Sequence, residues 1–440
     1  MDHLNKLLTD VGLRTLHGVE VPMIDDLSNR PILRHAWETM PAALQRTVTT
    51  PPVIPQIAAR ATVAAATSPD FVRGDQGQIV GVMPEREVYY GPSSGLPELR
   101  RAVARFWTLA YGLDGVDGLP PGGLAQENVA IVSGATEGIA ILMRMLAPDR
   151  SIGVQRWHWG NYRNLIAHAG GEAVVLDLFA ADGSFDEEGL RAAIVEHDLS
   201  ALVLNYPANP TGDLLSDDEL AAVAALARAH DLIIVSDEVY SWIRYDDRPR
   251  SLLAFAPERT LVIGAASKEY LIPGGRTGYV ISADPVFAGE WLPRMIRATS
   301  SSPNVLGQRR ALEMVGADVE DLANSRSPRF LGRIKEELRR RRDAMVEILR
   351  DTGFTLITRD SGPPQGGISL LARLPNGIDD DRAVIDAAIA AGRFSAIPGS
   401  AFGAPGCIRF GYAGIPLDGI ERLGQYLPEV LASVARPGVR

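Results

Sequence analysis

Short apolar, β-branched runs recur through the middle of the chain, each followed by a stretch with helical spacing. They fall at 129–133, 151–155, 172–176, 201–205, 231–236, 260–264 and 278–282. Their residues are apolar at successive rather than alternate positions, the pattern of strands buried on both faces by flanking helices. Strands alternating with helices imply βαβ crossovers and parallel pairing, with one antiparallel strand allowed at 278–282. A helix is expected near 96–112, and Gly and Pro mark 112–123 as a loop. Phe330, Leu331, Ile334, Leu338, Met345 and Leu349 recur at helical spacing and predict a long helix over 330–352. Beyond it, short strands (354–358, 367–374, 394–397, 407–411) and helices (380–391, 416–434) make an α+β pattern. Residues 1–80 carry two apolar-rich helical stretches, near 34–47 and 53–66. The expected fold class is α/β: a large domain over 81–325 with a mostly parallel seven-stranded sheet flanked by helices. A smaller α+β domain would combine 1–80 and 326–440.

A chain of 440 residues exceeds what one core comfortably uses, so two domains agree with its length. No stretch approaches the roughly 18 apolar residues that span a membrane. The first twenty residues scatter Asp2, Lys6, Asp10, Arg14 and Glu20 and do not read as a signal peptide. A single cysteine, Cys407, leaves no internal disulfide, fits a reducing compartment and reads as a small buried hydrophobe. A cytoplasmic location is expected. The seven histidines lack ligand spacing, so no metal site is expected; His158 reads as pocket wall or packing. The one basic run, 333–343, mixes signs on a helix and reads as a solvated face. With a net charge of −10, nucleic acid is an unlikely partner on electrostatic grounds.

The chemistry concentrates at strand ends. Lys268 lies eight residues before Arg276, with a Pro-Gly-Gly turn between them. A lysine held partly desolvated or near cations condenses with an aldehyde, and an arginine fork suits a phosphate. Aldehyde and phosphate together describe pyridoxal phosphate. Asp237 follows the run at 231–236, where a carboxylate would face a pyridine nitrogen and keep it protonated. Asn209, in Asn-Pro-Thr-Gly (209–212), and Tyr240 can donate to the ring's phenolate oxygen. The turn after 129–133 (Ser133, Gly134, Ala135, Thr136) opens a helix whose free N–H groups make an anion site. Each segment alone also suits an ordinary turn, helix cap or surface position.

In this order the segments resemble the fold-type I pyridoxal phosphate enzymes, in particular the class I/II aminotransferase family. The resemblance spans roughly 80–430. It rests on 90–100 (YGPSSGLPELR), Ser133–Thr136, 158–162 (HWGNY), 209–212 (NPTG), 236–240 (SDEVY), 267–279 and 398–413. It implies that Lys268 carries the internal aldimine and shuttles the α-proton, and that Asp237 pairs with the pyridinium nitrogen. Asn209 and Tyr240 would hold the phenolate oxygen, and Trp159 would stack on the ring. Gly134, Ala135, Thr136, Ser267 and Arg276 would hold the phosphate. Tyr90 would reach the phosphate of a neighbouring subunit in a homodimer with shared active sites. Arg409, with Asn209 and Trp159, would bind the substrate and grip its α-carboxylate.

The implied activity moves an amino group from an α-amino acid to a 2-oxo acid through a quinonoid and pyridoxamine phosphate. The same ring chemistry also supports β/γ-elimination or replacement, cyclisation, decarboxylation or oxidation. A non-catalytic, cofactor-binding regulator is a further alternative, though 1–80 shows no basic helix-turn-helix segment. Three departures from the family pattern stand out. Ala265 replaces a common phosphate-binding serine, and Trp157 replaces a proline two residues before the stacking aromatic. The Gly-rich segment that closes over substrate has no clear counterpart in 1–80; residues 26–31 come nearest. Arg297, with Arg294 as competitor, is placed where aspartate-type members bind a side-chain carboxylate.

Overall fold

The structure, a computed structural model, describes residues 15–16, 19–20, 27, 29–49, 90–246 and 249–435. Seven strands form its main sheet: β1 (Val129–Val132), β2 (Ser151–Gln155), β3 (Glu172–Leu176), β4 (Leu199–Asn205), β5 (Ile233–Asp237), β6 (Thr260–Ala265) and β7 (Gly278–Ser282). Their spatial order is β1-β7-β6-β5-β4-β2-β3. Strands β2 to β6 pair in parallel, and β7 is antiparallel to both its neighbours. Successive residues face opposite layers. Ala201, Val203, Ile233 and Val235 enter one hydrophobic core, and Leu202, Leu204 and Ile234 enter another. This two-sided burial is why the strand runs carry no polar alternation.

The second sheet is antiparallel, in the order β8 (Thr355–Leu356), β9 (Ser369–Arg373), β11 (Cys407–Gly411), β10 (Ile397–Pro398). Three helices, Arg329–Asp351, Asp381–Ala390 and Leu417–Ala435, pack together beside it. The expected strand at 354–358 shrinks to two residues. The helix expected over 34–47 divides into Pro31–Thr39 and Ala42–Thr49. Pro41 explains the break, because the residue before a proline avoids helical backbone and Met40 is extended (ψ 132°). The helical stretch expected at 53–66 lies outside the described residues.

The N-terminal helices dock on the large sheet's side. Pro31–Thr39 packs on helix Ala135–Leu146 and on β5, and Ala42–Thr49 packs on helix Leu292–Ser300. Arg30 Nε donates to Asp284 Oδ2 at 2.7 Å, and Arg34 pairs with Asp231 at 2.7 Å. Among the described residues no helix is long and apolar enough to cross a membrane, and no cluster of potential metal ligands occurs.

Candidate active site

The carboxyl ends of β1, β2, β4, β5 and β6 lie at one edge of the sheet, where open α/β sheets hold their ligands. A cavity of about 270 Å³ opens there. Ala135, Thr136, Trp159, Asn209, Asp237, Tyr240, Ser267, Lys268, Arg276 and Arg409 all line it. Residues expected from six separate segments thus meet in one place. Three cations face one carboxylate, a balance suited to a ligand with several negative charges. Tyr90 does not line the cavity; it stands 79 % exposed on the surface.

At the floor, Asp237 is buried at the end of β5. Tyr162 Oη donates to its Oδ2, and the Val239 N–H donates to its Oδ1 at 3.3 Å. Burial raises the Asp237 pKa to about 6 against these donors and the nearby Lys268. Lys268 sits on the short helical turn Ala266–Glu269 that follows β6. Burial first, and then the charge of Arg409, lower its pKa, while Asp237 opposes them. Its Nζ lies 5.9 Å from the centre of the Tyr240 ring. An amine so placed loses its proton more readily than a surface lysine.

The opposite end of the cavity is built for an anion. Helix Ala135–Leu146 begins after Gly134, whose φ of 85° and ψ of 159° are essentially open only to glycine. Arg276 Nη2 donates to the Ser133 carbonyl and Nη1 to the Pro273 carbonyl, both at 3.3 Å. A Cβ on Gly134 would come within 2.6 Å of Arg276 Nη2, and one on Gly278 within 2.7 Å of the Ala135 nitrogen. The Ser267 hydroxyl is buried without a partner among the described residues. A phosphate accepting from the helix N–H groups, Ser267 and Arg276 fits this cup, and the loss of serine at Ala265 leaves these donors in place.

On the substrate side, Arg409 on β11 donates from Nη1 to Asn209 Oδ1 at 3.3 Å. Its guanidinium carbon lies 5.3 Å from the centre of the Phe402 ring, and its Nε is buried without a partner among the described residues. Trp159 meets Tyr162 edge to face, with ring centres 5.5 Å apart. Trp157 adopts a φ of 51°. Proline, locked near −65°, has no access to that conformation, so the departure from the family pattern reflects a remodelled turn.

Three buried contributors escaped the sequence: Tyr162, Asn205 and Gln155. Tyr162 lies three residues after Trp159, and its N–H donates to the Trp159 carbonyl at 3.0 Å in the turn that opens helix Asn161–His168; its place in the 158–162 segment was the available signal. Asn205 at the end of β4 had only its strand-end position, and Gln155 had none.

The family model for "Aminotransferase class I and II" matches residues 82–427. The chain belongs to this aminotransferase family. It is 30% identical over 326 residues to the aspartate/prephenate aminotransferase of Thermus thermophilus, covering 74% of this chain and 78% of that one. The solved aspartate aminotransferase from Thermus thermophilus with maleate superposes with a TM-score of 0.68 at 26% identity, covering 87% of this chain and 97% of the other. The N-succinyldiaminopimelate aminotransferase of Mycobacterium tuberculosis superposes with a TM-score of 0.65 at 26% identity, over 85% and 90%. The fold is that of fold-type I enzymes, and this aminotransferase, like its family, depends on pyridoxal phosphate.

Proposed function

We propose that the 270 Å³ cavity seats pyridoxal phosphate and that the enzyme moves the amino group of an acidic α-amino acid to a 2-oxo acid. The meeting of Lys268, Asp237, Arg276 and Arg409 around one cavity carries this reading. When bound, the cofactor supplies an aldehyde that condenses with amines and a ring that withdraws electrons from the α-carbon. Lys268 would hold the cofactor through its amine, and its Nζ would carry the α-proton during the transfer. Its lowered pKa, set by burial and Arg409, suits that role. Asp237 would keep the ring nitrogen protonated, and Asn209 and Tyr240 would hold the phenolate oxygen. Gly134, Ala135, Thr136, Ser267 and Arg276 would hold the phosphate, and Trp159 would cover the ring face. Arg409, kept in place by Asn209 and Phe402, would clamp the α-carboxylate and so orient the α-carbon.

Relatives named for aspartate and for N-succinyldiaminopimelate favour an acidic substrate, as does the maleate held by the Thermus structure. Arg294 is engaged by Glu290 at 3.0 Å and by the Val48 carbonyl. That leaves Arg297, on the same helix, as the better of the two for a side-chain carboxylate. A homodimer belongs to the same reading, with the exposed Tyr90 reaching the neighbouring phosphate, as does the cytoplasmic location. So does the division into domains over 81–325 and over 1–80 with 326–440. Helices Pro31–Thr39 and Ala42–Thr49 pack on elements within 81–325. The direct test incubates holoenzyme with a panel of amino and 2-oxo acids and identifies products by mass spectrometry. Oxo acid formed from acidic donors, with the amino group passed to an added acceptor, supports the reading. Release of ammonia, carbon dioxide or an eliminated substituent overturns it.

A further inference from the structure

Asn205 holds an unusual position among the groups around the cavity. Its carboxamide Nδ2 donates to the Asp237 carbonyl at 2.8 Å, and its Oδ1 accepts from the Asn209 N–H at 2.9 Å. The orientation is unambiguous, since rotating the amide would set donor against donor and acceptor against acceptor. Its own backbone is gripped by Gln155, whose Oε1 accepts from the Asn205 N–H at 2.7 Å and whose Nε2 donates to the Asn205 carbonyl at 3.2 Å. Regular β2–β4 pairing ends at Val154 and Val203, so the Gln155 side chain continues the ladder where backbone no longer reaches. Both residues are buried, Asn205 to 2 % and Gln155 to 4 % exposure, so no solvent competes for these bonds.

We propose that Asn205, braced by Gln155, is a positioning residue that fixes the distance between Asp237 and Asn209. The inference rests on the reading that these two side chains hold opposite edges of the pyridine ring, at its nitrogen and its phenolate oxygen. They come from different elements, the end of β5 and the turn after β4. The β4–β5 ladder stays in register up to Asn205 opposite Asp237 and stops short of Asn209. The Asn205 carboxamide, bonded to both backbones, carries the tie across that last step. Asn209 in turn accepts from Arg409, so the same linkage extends to the carboxylate clamp on the other sheet. Removing the carboxamide takes this partner from the buried Asp237 carbonyl and from the part-buried Asn209 N–H, and lets the two ring contacts drift apart.

The test uses Asn205→Ala, Asn205→Asp and Gln155→Leu, with Asn209→Ala as a control. Two quantities are read: the dissociation constant of pyridoxal phosphate, and the pH midpoint of the bound cofactor's absorption band. Asn205→Ala is expected to weaken cofactor binding about tenfold, the scale of one lost hydrogen bond. Weaker donation to the phenolate leaves the chromophore more basic, so the midpoint should rise by roughly half to one pH unit. Asn205→Asp keeps the acceptor for Asn209 and loses the donor to Asp237, so an intermediate rise is expected. Gln155→Leu should shift both readouts in the same direction by less, and it carries the test should Asn205→Ala fail to fold. A merely structural role would lower thermal stability and leave the midpoint in place; that outcome overturns the inference. If Asn209→Ala shifts the midpoint and the Asn205 variants do not, only this inference fails. If Asn209→Ala also leaves it unmoved, the assignment of Asn209 falls and takes the inference with it.

Discussion

Gly134→Ala probes the anion cup through a single methyl group. Two effects follow from the geometry. First, alanine at φ 85° and ψ 159° is strained by about 1–3 kcal/mol, and this strain burdens the protein whether or not cofactor is bound. Second, the new Cβ falls 2.6 Å from Arg276 Nη2 and 3.0 Å from its Cζ, so the guanidinium must move. Arg276 is exposed and held by 3.3 Å bonds to the Ser133 and Pro273 carbonyls, so its guanidinium can swing aside, and doing so gives up those bonds and its place at the phosphate. Losing a charge-assisted hydrogen bond to the phosphate costs about 1.5–3 kcal/mol. Only this second effect weakens binding, so the dissociation constant should rise roughly 10- to 150-fold. The assay titrates cofactor-free protein with pyridoxal phosphate and follows absorbance. Activity at saturating cofactor should survive, because Lys268 and Arg409 are untouched. A change in affinity below about twofold would refute the assignment of Gly134 and Arg276 to the phosphate.

Three further outcomes are expected. Tyr162→Phe removes a donor to Asp237, so its pKa should rise from about 6 and the acid limb of the kcat/KM profile should move to higher pH; an unmoved limb contradicts the link between them. Arg297→Ala should weaken acidic substrates and spare apolar ones in steady-state kinetics, and equal loss for both classes removes the proposed role. Glu238, buried beside Asp237 and accepting from the Ser236 and Ser251 hydroxyls at 2.8 and 2.7 Å, has a pKa raised by burial to about 8. A carboxyl raised in the fold favours folding below its unfolded value near 4.5 and loses that contribution as pH climbs through about 8. Thermal melts of Glu238→Gln should therefore lack part of the wild-type decline between those values, whereas parallel curves would show that Glu238 ionises freely.

The central strands β4 and β5 were legible because burial on both faces leaves an uninterrupted apolar signature; β2, β7, the partly exposed edge strand β3 and β11 of the second sheet also fall where the pattern placed them. Asp237, Asn209 and Lys268 were legible because each ends or follows such a strand. Their individual roles came from the resemblance to a family rather than from spacing. Tyr162 was not legible as a partner of Asp237, because 75 residues separate them and a tyrosine on a helix face looks like core. Asn205 and Gln155 lie 50 residues apart, and only the sheet order brings β2 beside β4. From the sequence, Arg297 led with Arg294 as a competitor; the contacts of Arg294 with Glu290 and the Val48 carbonyl, set by tertiary packing, were not readable there.

The most direct measurement is borohydride reduction of the holoenzyme followed by peptide mapping. The cofactor adduct should sit on the Lys268 side chain alone, and Lys268→Ala protein should bind pyridoxal phosphate without being labelled. An adduct on another lysine, or none at all, contradicts the assignment of this cavity as the catalytic centre.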